Sequence, residues 1–377
     1  MGLKNKQDRI MDISKKTSNA VRAGKLYNLD HFHHAWHDQN LKRLMGNELL
    51  FPPSPKVIEA VTNILPKMNY YPEDPSTNKE LLHALADYAG IEGGADWVTL
   101  GNGSMEIIDM LPRTFLDAGD AVLLPCPDYS PYARRPLLYG GKIIDVIPDA
   151  DFNYHLEDFT SKMTSRTKMI ILSRPNAPAG NLLPRKILTS LLALDVVVVV
   201  DEAYAEFSGE TVVDLLPQYN NLIISRTFSK AMGLGGIRLG YVLTNPEMIS
   251  YIERIRVPLN VSLLTQVAAL AALEDAPYIQ ANAQKVIETR DQFSEQLTHI
   301  PGIKVYPSKG NSVLINTQKT GVAAHILQEE LLQAGYLTRN LSGGRGIPGE
   351  FFLRITIGTM DDMFEVGNLI KQYISEK

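Results

Sequence analysis

Seven short runs rich in β-branched and aliphatic residues mark the chain beyond Tyr71, with helical periodicity between them. They lie at Trp97 to Leu100, Ala121 to Leu124, Lys142 to Ile147, Lys168 to Leu172, Val196 to Val200, Leu222 to Ile224 and Arg238 to Leu243. This alternation constrains the fold more than any other feature, because strands separated by helices line up in a largely parallel sheet. Val196 to Val200 is apolar at every position, the pattern of a central strand covered by helices on both faces. The expectation is an α/β fold with a mostly parallel sheet. Upstream, Ser54 can cap a helix with Pro55 in its first turn, and Val57, Ile58, Val61, Ile64 and Leu65 share one face. After Asn245 helical periodicity runs to about Ile300. A strand at Ser312 to Ile315, a helix over Ala323 to Leu332, a strand at Phe352 to Ile357 and a helix from Met360 then predict a smaller α+β domain.

At 377 residues the chain is long enough for about two domains. Its apolar runs are far shorter than the ~20 residues of a membrane span, and no apolar N-terminal core marks a signal peptide. The expectation is a soluble, cytoplasmic protein that does not engage membranes. The lone Cys126 offers neither an internal disulfide nor a thiolate cluster. The first 45 residues form a basic arm with nine Lys or Arg against four Asp. Aromatic platforms are not interleaved with these charges and the whole molecule carries a net charge of −5, so a packing arm is expected rather than a nucleic-acid contact. His31, His33, His34 and His37 lie close together in the arm, but their spacing suits no single helix face and no carboxylate pattern accompanies them. No metal is expected.

In an open parallel sheet, ligands bind beyond the carboxyl ends of the strands. After the first strand, Gly103, Ser104 and Met105 open a helix whose first N–H groups suit a phosphate. After the valine run stands Asp201, followed by Tyr204. A carboxylate buried there requires a cation, either on a ligand or on an arginine. After Leu222 to Ile224 come Thr227, Ser229 and Lys230, then glycines and Arg238. Lys230 is either a solvated turn residue or a desolvated amine with a lowered pKa, nucleophilic toward carbonyls. Neither a nucleotide P-loop nor a complete G-x-G-x-x-G is present. The residues alone point to an enzyme with a phosphate-bearing ligand.

Together these residues resemble the fold-type I pyridoxal-phosphate enzymes, and within them the class II aminotransferases of the histidinol-phosphate branch. The likeness runs from about Gly46 to the C-terminus. It rests on Asn47-Glu48, Tyr71-Pro72, Gly103-Ser104-Met105, Pro127-Asp128-Tyr129, Arg174-Pro175-Asn176 through Gly180, Asp201 with Tyr204, Ser229-Lys230 with Arg238, and Leu353-Arg354 through Gly358. The chain departs from the usual pattern at Ala177 and Ala179, and at Leu49-Leu50 after Asn47-Glu48.

The resemblance implies an aspartate aminotransferase-like fold and pyridoxal 5'-phosphate as cofactor. Lys230 would bind the cofactor's aldehyde and later act as general base. Asp201 would pair with the ring nitrogen, Asn176 and Tyr204 would bond the ring hydroxyl, and Tyr129 would stack on the ring. Gly103, Ser104, Met105, Thr227, Ser229, Arg238 and the Tyr71 of a neighbouring subunit would hold the phosphate, making a homodimer with shared sites. Asn47, Arg339, Arg345 and Arg354 would face the substrate, with Arg354 clamping its carboxylate. Arg345 is either a contact to a second anionic group or a solvated loop arginine. The implied division is an arm at 1–45, a small domain of 46–75 with 290–377, and a large domain at 76–289. The expected reaction moves an amino group between an amino acid or amine, histidinol phosphate-like or aromatic, and a 2-oxo acid such as 2-oxoglutarate. The alternatives are a decarboxylase of the same fold and a cofactor-binding sensor.

Overall fold

A computed structural model describes residues 11–24, 26–27 and 29–377. All seven predicted strands form one sheet. In chain order they are β1 (Val98–Asn102), β2 (Ala121–Pro125), β3 (Lys142–Val146), β4 (Thr167–Ser173), β5 (Val197–Asp201), β6 (Leu222–Thr227) and β7 (Leu239–Leu243). Their order across the sheet is β1-β7-β6-β5-β4-β2-β3, and β7 alone runs against its neighbours. The valine run is central, as its composition predicts. Val198 and Val200 enter one apolar cluster with the helices Lys79–Ala89, Arg185–Leu192 and Leu263–Leu273. Val199 enters a second, with Ser104–Phe115 and Pro246–Glu253. Successive side chains of a strand point to opposite faces, so both faces of this strand are dry.

Beyond the 23-residue helix Ala276–Thr298, four antiparallel strands form a second sheet. These are β8 (Lys304–Tyr306), β9 (Ser312–Asn316), β10 (Arg339–Asn340) and β11 (Phe352–Thr356), in the order β10-β11-β9-β8. Helices Ala324–Gln333 and Met360–Ser375 match the two expected there. β8 and β10 are too short to leave a periodic signal. Residues 42–43, placed in the arm by sequence, pair in parallel with Tyr336–Leu337, and the 289/290 boundary falls inside helix Ala276–Thr298.

The arm contains a short helix at Asn19–Ala23 and a longer one at Asp30–His37. Of its charges, Lys4, Lys6, Asp8, Arg9 and Lys25 lie outside the described residues. Ala35 packs on Met45 and Leu337, and Tyr27 lies under the Arg134 guanidinium, 4.2 Å from ring centroid to Cζ. The histidines divide by direction. His33 and His37 share a face, 4.4 Å between ring centroids, whereas His31 meets Arg339. No helix among the described residues is long and apolar enough to cross a membrane.

The helix Pro55–Ile64 starts as expected, with Ser54 accepting from the Lys56 amide. Its apolar face is only partly covered: Val57 is buried, but Ile58 is 55% and Leu65 45% exposed. Only one edge of the helix packs against Leu263–Leu273. The exposed apolar line continues through Met68, Tyr70 and Tyr71.

Ile170 of β4 is fully buried among both sheet and helix side chains. Ile170→Ala is expected to cost about 2–5 kcal/mol, measured by denaturant unfolding.

Candidate active site

Asp201, Lys230, Tyr204 and Asn47 come together where the strand ends meet the second sheet. Asp201 ends β5 and is buried. Its Oδ2 accepts from the Tyr132 hydroxyl at 2.6 Å, and its Oδ1 from the Ala203 amide at 3.0 Å. Burial pushes its carboxyl above the usual range, and these hydrogen bonds with the Lys230 charge oppose that rise. No arginine pairs with it among the described residues. Arg226, one strand over, gives its guanidinium to Glu202 instead, Nη2 to Oε2 2.8 Å. Of the two cation sources open to Asp201 from sequence, the protein's own arginine is therefore already used.

Lys230 leaves the turn after β6. Its Nζ donates to the Gly46 carbonyl at 3.0 Å and stands 5.8 Å from the centre of the Tyr204 ring. Burial, helped by the positive charge of Arg354, lowers its pKa to about 8. The Tyr204 hydroxyl accepts from Asn47 Nδ2 at 2.9 Å. Asn47 sits in the left-handed region with φ 52°, a conformation Asn tolerates better than most side chains. Its amide donates to Thr356 Oγ1, and its carbonyl accepts from Asn311, each at 3.0 Å. One asparagine thus ties the second sheet to Tyr204.

Close packing shapes an anion cradle beside them. Gly103, at φ 72°, is the N-cap of helix Ser104–Phe115, and a side chain there would strike the Arg238 guanidinium. A Cβ on Gly240 would come within 2.6 Å of the Ser104 nitrogen. Both glycines are therefore needed for the helix start, β7 and Arg238 to converge. The first amides of that helix have no intrahelical acceptor and carry its positive dipole end. Arg238, itself at φ 58°, donates to Ser229 Oγ at 3.4 Å and to the Gly235 carbonyl at 2.9 Å. Thr227 Oγ1 accepts from the Ser229 amide at 3.2 Å.

Asn176 is buried, with Nδ2 on the Pro127 carbonyl at 3.3 Å and Oδ1 accepting from Ala179 at 3.1 Å. The Tyr129 hydroxyl donates to Met105 Sδ at 3.6 Å, and its ring meets Tyr132 edge-on at 6.0 Å. Tyr71 is 88% exposed.

On the opposite side, Arg339 of β10 lies directly across from Arg354 of β11. Like charges in opposed register repel, and among the described residues neither arginine makes an ion pair. Arg354 donates from Nη2 to the Met45 carbonyl at 2.6 Å, while its Nε is buried without an acceptor. Burial and Arg339 both disfavour its charge. Two guanidinium groups in this arrangement make a candidate anion site. Arg345 differs from both sequence expectations: its guanidinium bonds Asp128 Oδ1 at 2.9 Å and also grips Asp145, so carboxylates of the protein hold it.

The sequence does not signal the Asp201 contact of Tyr132 or the Arg339 contact of His31. Tyr132 lies 69 residues from the carboxylate it bonds, and His31 lies 308 residues from Arg339. No local pattern signals either contact.

Residues 41–368 match the model of the class I and II aminotransferases. A histidinol-phosphate aminotransferase of Methanothermobacter thermautotrophicus is 36% identical over 328 residues, 86% of this chain and 87% of its own. Its counterpart in Methanocaldococcus jannaschii is 31% identical, covering 89% and 90%. Among solved structures, the histidinol-phosphate aminotransferase of Sinorhizobium meliloti in complex with pyridoxal-5'-phosphate superposes with a TM-score of 0.85. It is 23% identical and covers 98% of this chain and 99% of that one. The chain belongs to the class I and II aminotransferases. It is an enzyme of the aspartate aminotransferase-like fold that depends on pyridoxal phosphate and transfers amino groups.

The residues present fit that cofactor. It brings a phosphate, a ring nitrogen that takes a proton, and an aldehyde. The site has the Gly103–Arg238 cradle, a buried carboxylate without an ion pair among the described residues, and an amine with a lowered pKa.

Because the neutral amine is the nucleophile, Lys230 should be half active at about pH 8, where under ~1% of an ordinary lysine is neutral. Capture of pyridoxal phosphate by the cofactor-free enzyme should therefore speed up about tenfold from pH 7 to 9 and then level off. A rise of about a hundredfold over that interval, with no plateau, would mean an ordinary lysine.

Proposed function

We propose that this enzyme exchanges an amino group between glutamate and a phosphorylated amine of the histidinol phosphate type, with 2-oxoglutarate as the 2-oxo acid. The observation that carries this reading is the pair of opposed arginines, Arg339 and Arg354, without a carboxylate partner among the described residues. One guanidinium fork suits a carboxylate and equally a phosphate, so a single anion subsite serves both half-reactions. The names of the relatives support histidinol phosphate as one member of this pair.

Bound pyridoxal phosphate supplies an aldehyde that condenses with amines and a ring that accepts electrons from the substrate Cα. Each protein residue has a separate task. Asp201 keeps a proton on the ring nitrogen, with Tyr132 and the Ala203 amide orienting its two oxygens. Lys230 Nζ, whose ammonium is acidic enough to be partly neutral near pH 8, takes the Cα proton of the substrate and redelivers it. Tyr204, oriented by Asn47, and Asn176 bond the ring hydroxyl, and Tyr129 covers the ring face. Ser104, Met105, Thr227, Ser229 and Arg238 hold the phosphate. Arg354 and Arg339 fix the substrate anion, with Asn47 beside them. The kinetics expected are ping-pong.

The exposed line Ile58, Leu65, Met68, Tyr70 and Tyr71 supports a homodimer, since large apolar patches mark interaction surfaces. Tyr71 would then serve the phosphate of the partner's site. The reading places the enzyme in the cytoplasm, with small molecules rather than nucleic acids or membranes as partners.

Mixed separately with the loaded enzyme in single-turnover experiments, glutamate and histidinol phosphate should each convert the cofactor's visible spectrum. Conversion by some other amino acid but by neither of these, or release of carbon dioxide, refutes the substrate assignment. Mixing inactive Tyr71→Ala with inactive Lys230→Ala should restore part of the activity, because some mixed dimers contain one intact site. Demonstrated subunit exchange without recovery would mean that each site is built from one chain.

A further inference from the structure

The arm helix Asp30–His37 brings one side chain to the anion subsite. His31 Nδ1 lies 3.0 Å from Arg339 Nη1. A guanidinium has donors and no acceptor, so this ring nitrogen must accept and the imidazole is neutral, with its proton on Nε2. The half-buried ring is flanked by Arg339 of β10, Arg354 of β11 and Asp30 of its own helix. The helix is anchored through Ala35 on Met45 and Leu337, and a Cβ on Gly46, whose carbonyl receives Lys230, would come within 3.3 Å of the Phe32 ring. The arm is therefore packed over the site and not simply solvated beside it.

We propose that His31 is a specificity-determining residue that recognises a doubly charged anion by taking up a proton when the anion binds. This rests on the reading of Arg339 and Arg354 as the substrate-anion subsite. Without an anion, His31 holds Arg339 as a neutral acceptor. When a dianion bridges the two arginines, the donor on Arg339 turns to the anion and the repulsion that keeps the ring neutral is cancelled. His31 then gains a proton and becomes a third cationic donor on the anion. A carboxylate carries half the charge and offsets less of the repulsion, so the ring stays neutral and the device favours phosphate monoesters.

The direction of the protonation follows from the same neighbours. Burial first, then Arg339 and Arg354, lower the His31 pKa to about 4, while Asp30 opposes them. The free site is therefore unprotonated at neutral pH. Proton uptake occurs between that value and the higher pKa of the anion-bound state, and it fades as pH rises above the latter.

Sulfate is a suitable probe because it remains a dianion throughout this range, and cofactor-loaded enzyme keeps it out of the phosphate cradle. Calorimetric titration at pH 6.5 in two buffers of different ionisation enthalpy should show net proton uptake by the wild type. His31→Gln, which still offers Arg339 an oxygen acceptor but cannot be protonated, should bind sulfate about tenfold more weakly with no proton uptake. In turnover, the preference for histidinol phosphate over histidinol should fall about tenfold in both His31→Gln and His31→Ala. No sulfate binding, no proton uptake by the wild type, or equal uptake by His31→Gln overturns the proposal, as does an unchanged preference. If neither amine is a substrate the function reading fails, and the sulfate titration still decides the role of His31.

Discussion

A carboxylate with no ion pair among the described residues lies at the end of the central strand, and the rest of the site is arranged around it. Burying an unpaired Asp201 costs several kcal/mol, which two hydrogen bonds from Tyr132 and Ala203 offset in part. The adjacent Glu202 takes the guanidinium of Arg226, on the neighbouring strand. This separation leaves Asp201 available for the cation that, in the function proposed, arrives with the cofactor. The fully covered valine strand makes the arrangement possible, because water that would otherwise solvate the carboxylate is excluded by helices on both faces.

Two kinds of contact then place the remaining groups. Glycines at 103 and 240 let a helix start, a strand and Arg238 approach more closely than any side chain would permit. Asn47 and Gly46 belong to a segment that runs with the second sheet, but they bond Tyr204 and Lys230 of the first. Movement of one sheet relative to the other would therefore alter the hydrogen bonds of Tyr204 and Lys230. Arg345 adds a further tie, from the loop between β10 and β11 to Asp128, the neighbour of Tyr129.

Much of this was readable in the sequence. Periodicity located every strand of the large sheet, and strand ends ruled by a common topology singled out Gly103, Asp201 and Lys230. Contacts made at a distance along the chain were not readable. Tyr132 is one aromatic among many until the fold puts it against Asp201. Arg345 looks like a loop residue until Asp128 and Asp145 converge on it, and the exposure of Ile58 and Leu65 depends on how little of their helix the neighbouring helix covers. His31 was set aside with the other arm histidines because their spacing matched no common face. That spacing in fact sends His31 and the His33–His37 pair in different directions.

The role proposed for Asp201 is to keep a proton on the ring nitrogen of the cofactor. It is tested most directly by the 15N resonance of that nitrogen in labelled pyridoxal phosphate bound to wild type and to Asp201→Asn. At pH 8 the wild type should give the shift of a protonated ring and the variant that of an unprotonated one, with amino transfer slowed by orders of magnitude. A protonated ring and near-wild-type turnover in Asp201→Asn would contradict the claim.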